Sequence, residues 1–245
     1  MARYSLHAGH NSIVQGANYG NRKEHIMDRQ VKDAVVAKLR ALGHTVYDDT
    51  DEVGTTQAQN LNNIVSKTNS HDVDLVVSFH LNSYDTKANG VEVLYYDQQA
   101  LSAKIAAQLS KDIGWSNRGA KERKDLYVLA NTKAPAILIE LGFIDNEADM
   151  AKWNPDKIAN SIVYALTGQS GGTTPPSQKN IIQSGAFSPY ETPDVMGALT
   201  SLKMTANFIL QSDGLTYFIS EPTSDAQLKG MTDYLDRKGW WYEVK

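Results

Sequence analysis

One stretch of the chain limits its folding more than any other, because it cannot contribute to a hydrophobic core. Residues 167–179, TGQSGGTTPPSQK, combine Gly, Ser, Thr and Pro without a periodic apolar residue, which is the composition of a linker. The chain of 245 residues is also longer than the usual single domain. We therefore predict a large domain at residues 1–168, a linker at 169–179 and a small domain at 180–245.

The large domain alternates strand-like and helix-like segments. Short aliphatic runs at Asp74–His80 and Ala136–Glu140 are typical of strands buried on both faces, and Gly90–Tyr96 predicts another strand. Apolar residues recur at helical spacing in Val31–Leu42 and Leu101–Leu109, and a glycine suited to a C-terminal cap follows each run. This alternation predicts an α/β fold with a mostly parallel sheet flanked by helices.

The small domain contains one arrangement twice. Strand-like, helix-like and strand-like segments at 180–187, 193–203 and 206–211 are repeated in the same order between residues 216 and 244. The Asp213-Gly214 pair between the two halves is a strong signal for a hairpin. The pattern predicts a small α+β domain with the βαβ–βαβ order of a ferredoxin-like fold.

The composition excludes several classes of function. No cysteine is present, so any transition metal must be held by His, Asp or Glu side chains. A formal net charge of −4 argues against a nucleic-acid partner, and no apolar run is long enough for insertion into a membrane. The opening residues, MARYSLHAGH, lack the apolar run of a signal peptide. If the target of this protein is extracellular, we expect that another protein must release it from the cytoplasm.

Four ionisable residues of the large domain are placed to form one site. His10, His80 and Glu140 each come at the end of a predicted strand, and Glu24 lies at the start of a predicted helix. Ligands of open α/β sheets bind outside the carboxyl ends of the strands, so we expect these side chains to converge. Two imidazoles and one carboxylate are the donor set of a catalytic zinc site, and a further carboxylate can act as general base.

Taken singly, each of these residues also has a structural explanation. A histidine at a strand end is usually a hydrogen-bonded structural residue, and Glu24 alone fits an exposed carboxylate in the first turn of a helix. Glu140 differs, because a carboxylate that directly follows an aliphatic strand is costly to bury without a partner. Among the other histidines, His25 is the alternative ligand beside Glu24, and His7 is placed to support His10.

The ordered motifs of the large domain resemble the zinc-dependent N-acetylmuramoyl-L-alanine amidases, and among them the endolysins of bacteriophages. The resemblance covers roughly residues 3–166 and is carried by Gly9-His10-Asn11, Glu24, Ser78–Asn82, Asn117–Lys121 and Ile139–Asn146. It implies that one Zn²⁺ ion is bound by His10, Glu24 and His80 and that Glu140 is the catalytic carboxylate. It also implies substrate contacts from Asn11, Asn82, Arg118 and Lys121. One departure is Asn11-Ser12, where many bacterial members have two glycines.

The small domain resembles the sporulation-related repeat (SPOR) modules, which bind peptidoglycan. The resemblance rests on Gln183–Phe187, on the repeated topology and on the terminal Gly239-Trp240-Trp241. It implies that exposed aromatic residues stack on sugar rings of the wall, and the candidates are Tyr190, Tyr217, Trp240 and Trp241. Phe187 and Phe208 are expected to belong instead to the core of this small domain.

These resemblances imply an enzyme that hydrolyses the amide between N-acetylmuramic acid and L-alanine in bacterial peptidoglycan and lyses the host cell after holin-dependent release. Three alternatives stay open at the level of the sequence. They are a zinc endopeptidase that cleaves within the stem peptide, a bacterial amidase for mother-cell lysis, and a catalytically inactive protein that only binds the wall.

Overall fold

The computed structural model describes residues 1–169 and 181–244, which form two compact units. The linker predicted at 169–179 lies, apart from Gln169, outside the described residues. Within the described ranges, no helix combines the length and the hydropathy needed to cross a membrane.

The larger unit is built on a six-stranded sheet with helices on both faces. The strands are β1 (Arg3–Ala8), β2 (Asn18–Tyr19), β3 (Arg22–Lys23), β4 (Thr45–Asp48), β5 (Leu75–Asn82), β6 (Val91–Tyr95), β7 (Asn117–Glu122) and β8 (Ala136–Phe143). The helices are α1 (Glu24–Ala41), α2 (Gln57–Asn69), α3 (Gln99–Ile113), α4 (Tyr127–Asn131), α5 (Glu147–Met150) and α6 (Pro155–Thr167).

The order of strands in this sheet is β4-β1-β5-β8-β6-β7, and β2 and β3 form a separate small hairpin. Every neighbouring pair in the six-stranded sheet is parallel except β6 and β8, which are antiparallel. The predicted fold, a mostly parallel sheet flanked by helices, is therefore confirmed.

Alternation along the central strands sends neighbouring side chains to opposite faces of the sheet. Val77 and Phe79 of β5 pack in the core cluster that includes α1, α3 and α6. Val76 of β5 and Leu138 of β8 pack in the second cluster, with α2 and α4. By the same alternation, His80 and Glu140 belong to the second face, near the carboxyl ends of their strands.

The two central strands are longer than the sequence pattern predicted. The predicted strands ended at His80 and Glu140, whereas β5 continues to Asn82 and β8 to Phe143. Pairing continues because Leu81 and Phe143 are themselves buried apolar residues. The register shifts between His80 and Asn82, which marks an irregularity directly after the histidine.

The smaller unit has the predicted βαβ–βαβ order. Its elements are β9 (Ile182–Ser184), a 3₁₀ turn (Pro189–Glu191), α7 (Thr192–Ser201), β10 (Ala206–Leu210), β11 (Thr216–Ser220), α8 (Asp225–Lys238) and β12 (Tyr242–Val244). The strands form one antiparallel sheet in the order β10-β11-β9-β12. Gly214 has φ +85° in the hairpin between β10 and β11, a conformation that favours glycine at this turn.

Candidate metal centre

Three of the predicted site residues meet at the carboxyl edge of the large sheet. His10, Glu24 and His80 each offer one ligand atom, and these atoms lie within 4.8 Å of one another. The Oε1 atom of Glu24 lies 3.5 Å from Nε2 of His10 and 3.1 Å from Nδ1 of His80. The arrangement can hold a metal ion, and His25, the alternative ligand, is not part of this group.

Backbone amides hold the carboxylate of Glu24 in the site. Glu24 is the first residue of α1 and is only 4% exposed. Its Oε2 atom accepts a hydrogen bond from the backbone N–H of Ala17 at 2.6 Å, and its Oε1 atom accepts one from the backbone N–H of Leu81 at 3.0 Å. The carboxylate therefore bridges the loop after β1 and the end of β5, and its direction is determined by both.

Two glycines leave the space that these side chains occupy. A Cβ atom at Gly9 would overlap the imidazole ring of His80. A Cβ atom at Gly16, whose φ is +71°, would overlap both the carboxylate of Glu24 and the ring of His10. The backbone of the loop after β1 consequently approaches the site more closely than any other residue type permits.

The electrostatics of the three side chains differ. Burial, followed by the charge of His80, lowers the pKa of His10 to about 4. Burial also acts to lower the pKa of His80, but the hydrogen bond and the charge of Glu24 outweigh it and raise this pKa to about 9. Burial would raise the pKa of Glu24, yet the contacts with His80 and His10 lower it. Without a cation, the Glu24 carboxylate favours the protonated form of His80, and a cation that binds to His80 must displace that proton.

Glu140 lies beside this group. It is the register partner of His80 between β8 and β5, and it is partly buried. Its Oε2 atom has no hydrogen-bond partner among the described residues, and burial raises the pKa of the carboxyl group to about 7. A carboxyl group with this pKa can both accept and return a proton near neutral pH.

Asn11, predicted to contact a substrate, has a structural role. It is fully buried, and its Nδ2 atom donates to Oδ2 of Asp51 at 3.2 Å and to the carbonyl oxygen of Gly54 at 2.8 Å. Its Oδ1 atom accepts from the backbone amides of Ile13 and Val14. These hydrogen bonds occupy both polar atoms of the Asn11 side chain and fix the loop that carries Gly16 and Ala17. The structure therefore does not support a substrate contact from Asn11.

Asn82 and Arg118 lie on either side of Glu92, a residue that the sequence analysis missed. Asn82 donates to Oε1 of Glu92 at 3.1 Å, and Arg118 donates to Oε2 at 2.8 Å. Lys121 is exposed on the same strand as Arg118. The signal for Glu92 was a single carboxylate inside the otherwise apolar and aromatic strand GVEVLYY.

Two further buried groups near the site were missed or assigned differently. Asp28 is fully buried, its Oδ2 atom has no partner among the described residues, and burial raises its pKa to about 7. Asp28 follows Glu24 by four residues, and this spacing of two carboxylates by one helical turn was the sequence signal for Asp28.

His7 was expected to support His10. It is fully buried, but neither of its ring nitrogens has a hydrogen-bond partner in the described part of the chain.

In the smaller unit the candidate aromatic residues divide into two groups. Tyr190 is 95% exposed and Trp241 is 65% exposed, whereas Tyr217 is partly buried. Trp240 instead stacks on Phe187, with ring centroids 4.9 Å apart, and packs against the core. Trp240 is therefore a structural residue, and a role in stacking on sugars is not supported for it. Phe187 is buried, as expected.

Comparison with known families gives a match for each unit. Residues 5–168 match the N-acetylmuramoyl-L-alanine amidase family, and residues 201–244 match the PlyG cell wall binding domain. The prediction of a wall-binding domain is thereby confirmed, whereas its resemblance to SPOR modules is not.

Similar proteins and structures agree with the first match. The protein YqiI of Bacillus subtilis (strain 168) is 31% identical over 172 residues, which cover 66% of this chain and 81% of YqiI. The germination-specific N-acetylmuramoyl-L-alanine amidase of the same organism is 30% identical over 119 residues, 45% of this chain and half of that protein. The catalytic domain of the CD27L endolysin targeting Clostridia difficile superimposes with a TM-score of 0.64 at 27% identity, covering 69% of this chain and 99% of that domain.

Proposed function

Because the chain belongs to the N-acetylmuramoyl-L-alanine amidase family, we propose that it is a zinc-dependent endolysin that hydrolyses the amide between N-acetylmuramic acid and L-alanine in bacterial peptidoglycan. Residues 1–168 form the catalytic domain of this proposal, 169–179 the linker and 180–245 the wall-binding domain. The chain spans about half the length of several of its relatives. The activity of the whole protein is therefore part of the proposal.

The spacing of three donor atoms carries the proposal. Ligand atoms placed about 2.0–2.1 Å from a tetrahedral zinc ion lie about 3.3 Å from one another. The distances from Glu24 Oε1 to the nearest nitrogens of His10 and His80, 3.5 and 3.1 Å, fit this requirement. The donor set of two imidazoles and one carboxylate, in a chain without cysteine, is also that of catalytic zinc sites.

Glu140 is the proposed general base. A zinc ion held by His10, Glu24 and His80 would supply a Lewis acid for the amide carbonyl and would lower the pKa of the attacking water towards about 7. The Oε2 atom of Glu140 is free to take the proton from that water, since no described residue competes for it. The same oxygen then returns the proton to the nitrogen of L-alanine as the amide bond breaks.

The family match of the smaller unit supports a role in holding the enzyme on the wall. Exposed Tyr190 and Trp241 are the proposed contacts with wall sugars, and Tyr217 contributes from a partly buried position. We place the protein in the cytoplasm of the host cell during synthesis and at the cell wall after release, which we assign to a holin.

Zinc analysis coupled to mass spectrometry of the products tests the catalytic proposal. We expect one zinc per chain and release of stem peptides with a free L-alanine amine. An endopeptidase would leave the lactyl amide intact, and an inactive wall-binding protein would leave the wall uncut. Full activity in protein that has been stripped of metal would contradict the proposed role of zinc.

Truncation tests the proposed division of labour. Residues 1–168 alone should retain zinc and hydrolyse small soluble muropeptides, but should act more slowly on intact walls at low enzyme concentration, because local concentration at the surface is lost. Residues 180–245 fused to a fluorescent protein should bind walls. If the fusion fails to bind any wall preparation while the truncated enzyme lyses walls at full rate, the small domain has another role.

A further inference from the structure

Arg118 on β7 is held in a fixed orientation by Glu92 and Phe143. Its Nε atom donates to Oε2 of Glu92 at 2.8 Å, and its guanidinium lies over the ring of Phe143, 5.0 Å from the ring centroid. An ion pair at one edge and an aromatic ring beneath the plane restrict the rotation of a side chain that is otherwise long and flexible.

Glu92 is itself held from the opposite side. Its Oε1 atom accepts from the amide of Asn82 at 3.1 Å, and its side chain is only 12% exposed. The three side chains therefore link β5, β6 and β7. A chain of hydrogen bonds of this kind orients the last member, Arg118, with respect to the strands that carry the site.

The terminal nitrogens of Arg118 remain available. The Arg118 side chain is 39% exposed, and its Nη1 and Nη2 atoms make no hydrogen bond or ion pair with any described residue. These two nitrogens carry four N–H donors in a planar fork. A planar fork of donors with one edge already occupied is suited to a carboxylate, which it can bind through two parallel hydrogen bonds.

The register of the sheet gives the distance to Glu140. Glu92 on β6 is the partner of Glu140 on β8, and Gly119, which follows Arg118, is the partner of Glu92 on the other side. Neighbouring strands lie about 4.8 Å apart, so the backbones at Arg118 and Glu140 are separated by roughly 10 Å. An extended peptide covers about 7 Å in two residues, and the long Arg118 side chain covers the remainder.

We propose that Arg118 recognises a carboxylate of the stem peptide, on the residue that follows L-alanine. The inference rests on the proposed amidase function, because it needs the scissile amide to lie beside Glu140. It assigns to Arg118 a role in choosing between wall peptides that carry a free carboxylate at this residue and those in which it is a carboxamide. A carboxamide presents an N–H₂ group to the fork and loses the charge-assisted hydrogen bonds.

Arg3 offers a matched control. It is the first residue of β1, at the amino end of this strand, whereas the site lies at the carboxyl edge of the sheet. Its Nη1 atom is paired with Asp72 and its Nη2 atom with Asp74, and its side chain is 44% exposed. Because both terminal nitrogens of Arg3 already bind carboxylates away from the site, Arg3 should contribute nothing to the choice of substrate.

Two synthetic muropeptides that differ only in this group, carboxylate or carboxamide, test the proposal with the full chain. We expect kcat/KM to be about tenfold higher for the carboxylate form, a difference of about 1.4 kcal/mol. Arg118→Met should bring the ratio close to one, chiefly through KM for the carboxylate form. Arg118→Lys, which keeps the charge but not the fork, should give an intermediate ratio, and Arg3→Gln should retain the ratio of the unsubstituted protein.

The ratio is measured within each variant, so a partial loss of folded protein affects both substrates equally. Equal rates on the two muropeptides in the unsubstituted protein, an unchanged ratio in both Arg118 variants, or loss of the ratio in Arg3→Gln would overturn the proposal. If neither muropeptide is hydrolysed, the amidase function itself fails. The ratio of their dissociation constants, measured by calorimetry for the same set of variants, then decides the role of Arg118 by the same criteria.

Discussion

In the larger unit, the side chains assigned to chemistry are withdrawn from solvent, and Glu24 is held by several neighbours at once. Glu24 is only 4% exposed, receives two backbone amides and contacts both histidines. In the smaller unit, the side chains assigned to binding lie on the surface, and Tyr190 and Trp241 have most of their area exposed. A site for metal chemistry must keep other groups away from the metal ligands, whereas a surface that binds a polymer must have its contact residues exposed to solvent.

This difference explains why sequence reasoning performed unequally on the two units. A carboxylate after an aliphatic strand is unusual, so Glu140 stood out in the larger unit. Aromatic residues build cores and also bind sugars, so their pattern in the smaller unit was ambiguous. Two adjacent tryptophans illustrate the ambiguity, because the Trp240 ring packs on Phe187 whereas most of the Trp241 side chain is exposed to solvent. The comparison predicts that substitutions in the larger unit impair zinc binding or catalysis, whereas substitutions in the smaller unit impair binding to the wall or stability.

The largest effect is expected from His80→Ala. Removing one of three interlocked ligands should reduce zinc from one per chain to a trace and abolish wall lysis, because two protein donors cannot hold the ion against buffer. Zinc content by elemental analysis and turbidity of a wall suspension measure the two losses. His44→Ala is the control, since its ring nitrogen accepts only from the backbone amide of Ala2 and should leave both readings unchanged. Retention of zinc in His80→Ala would remove this residue from the ligand set.

Glu140→Gln should separate metal binding from chemistry. Loss of the general base should lower turnover by about 10²–10⁴-fold, while the zinc content stays at one per chain. Glu147→Gln provides the control, because this glutamate is exposed and pairs with Arg22. Parallel loss of zinc and activity in Glu140→Gln would show that Glu140 is a ligand, and the roles of Glu24 and Glu140 would need to be exchanged.

Gly9→Ala tests the close packing of the metal centre without changing any ligand. The added methyl group would overlap the ring of His80, which must move, and we expect the affinity for zinc to fall by about 10–100-fold, as for other losses of ligand support. Competition with a chromogenic chelator measures this affinity.

The control in the smaller unit is Gly197→Ala, because a methyl group at this position of α7 meets open space. It should leave zinc binding unchanged and stabilise the helix by about 1 kcal/mol. Equal zinc affinities in the two variants would contradict the packing argument.

The smallest effects are expected from the neighbouring tryptophans, and they should differ in kind. Trp241→Ala should weaken binding to isolated walls by about tenfold, or about 1.4 kcal/mol, with little change in thermal stability. Trp240→Ala should lower the melting temperature of the smaller unit, because it removes the ring stacked on Phe187. Sedimentation with walls and calorimetric melting measure the two properties. If Trp240→Ala weakens binding without loss of stability, the division between core and contact residues is wrong.

Much of the architecture followed from local patterns. The hydrophobic runs of the large domain and the repeat in the small one predicted both folds, since alternation and hairpin signals are properties of short segments. Element ends were less accurate, as β5 and β8 continue past His80 and Glu140. These ends depend on whether residues such as Leu81 find a buried partner, which is a long-range property.

The sequence by itself determined which residue types were available and roughly where they lay: two histidines and two glutamates at element ends, no cysteine, and an interruption at 167–179. Only the tertiary structure decided which atoms meet. It brought Glu24 to within 3.5 Å of His10 in the loop after β1 and of His80 in β5, turned Asn11 inwards to fix a loop, and connected Arg118 to Glu92. The physical reason is that local propensity acts over a few residues, whereas a buried charge is stabilised only by partners that the folded sheet brings together.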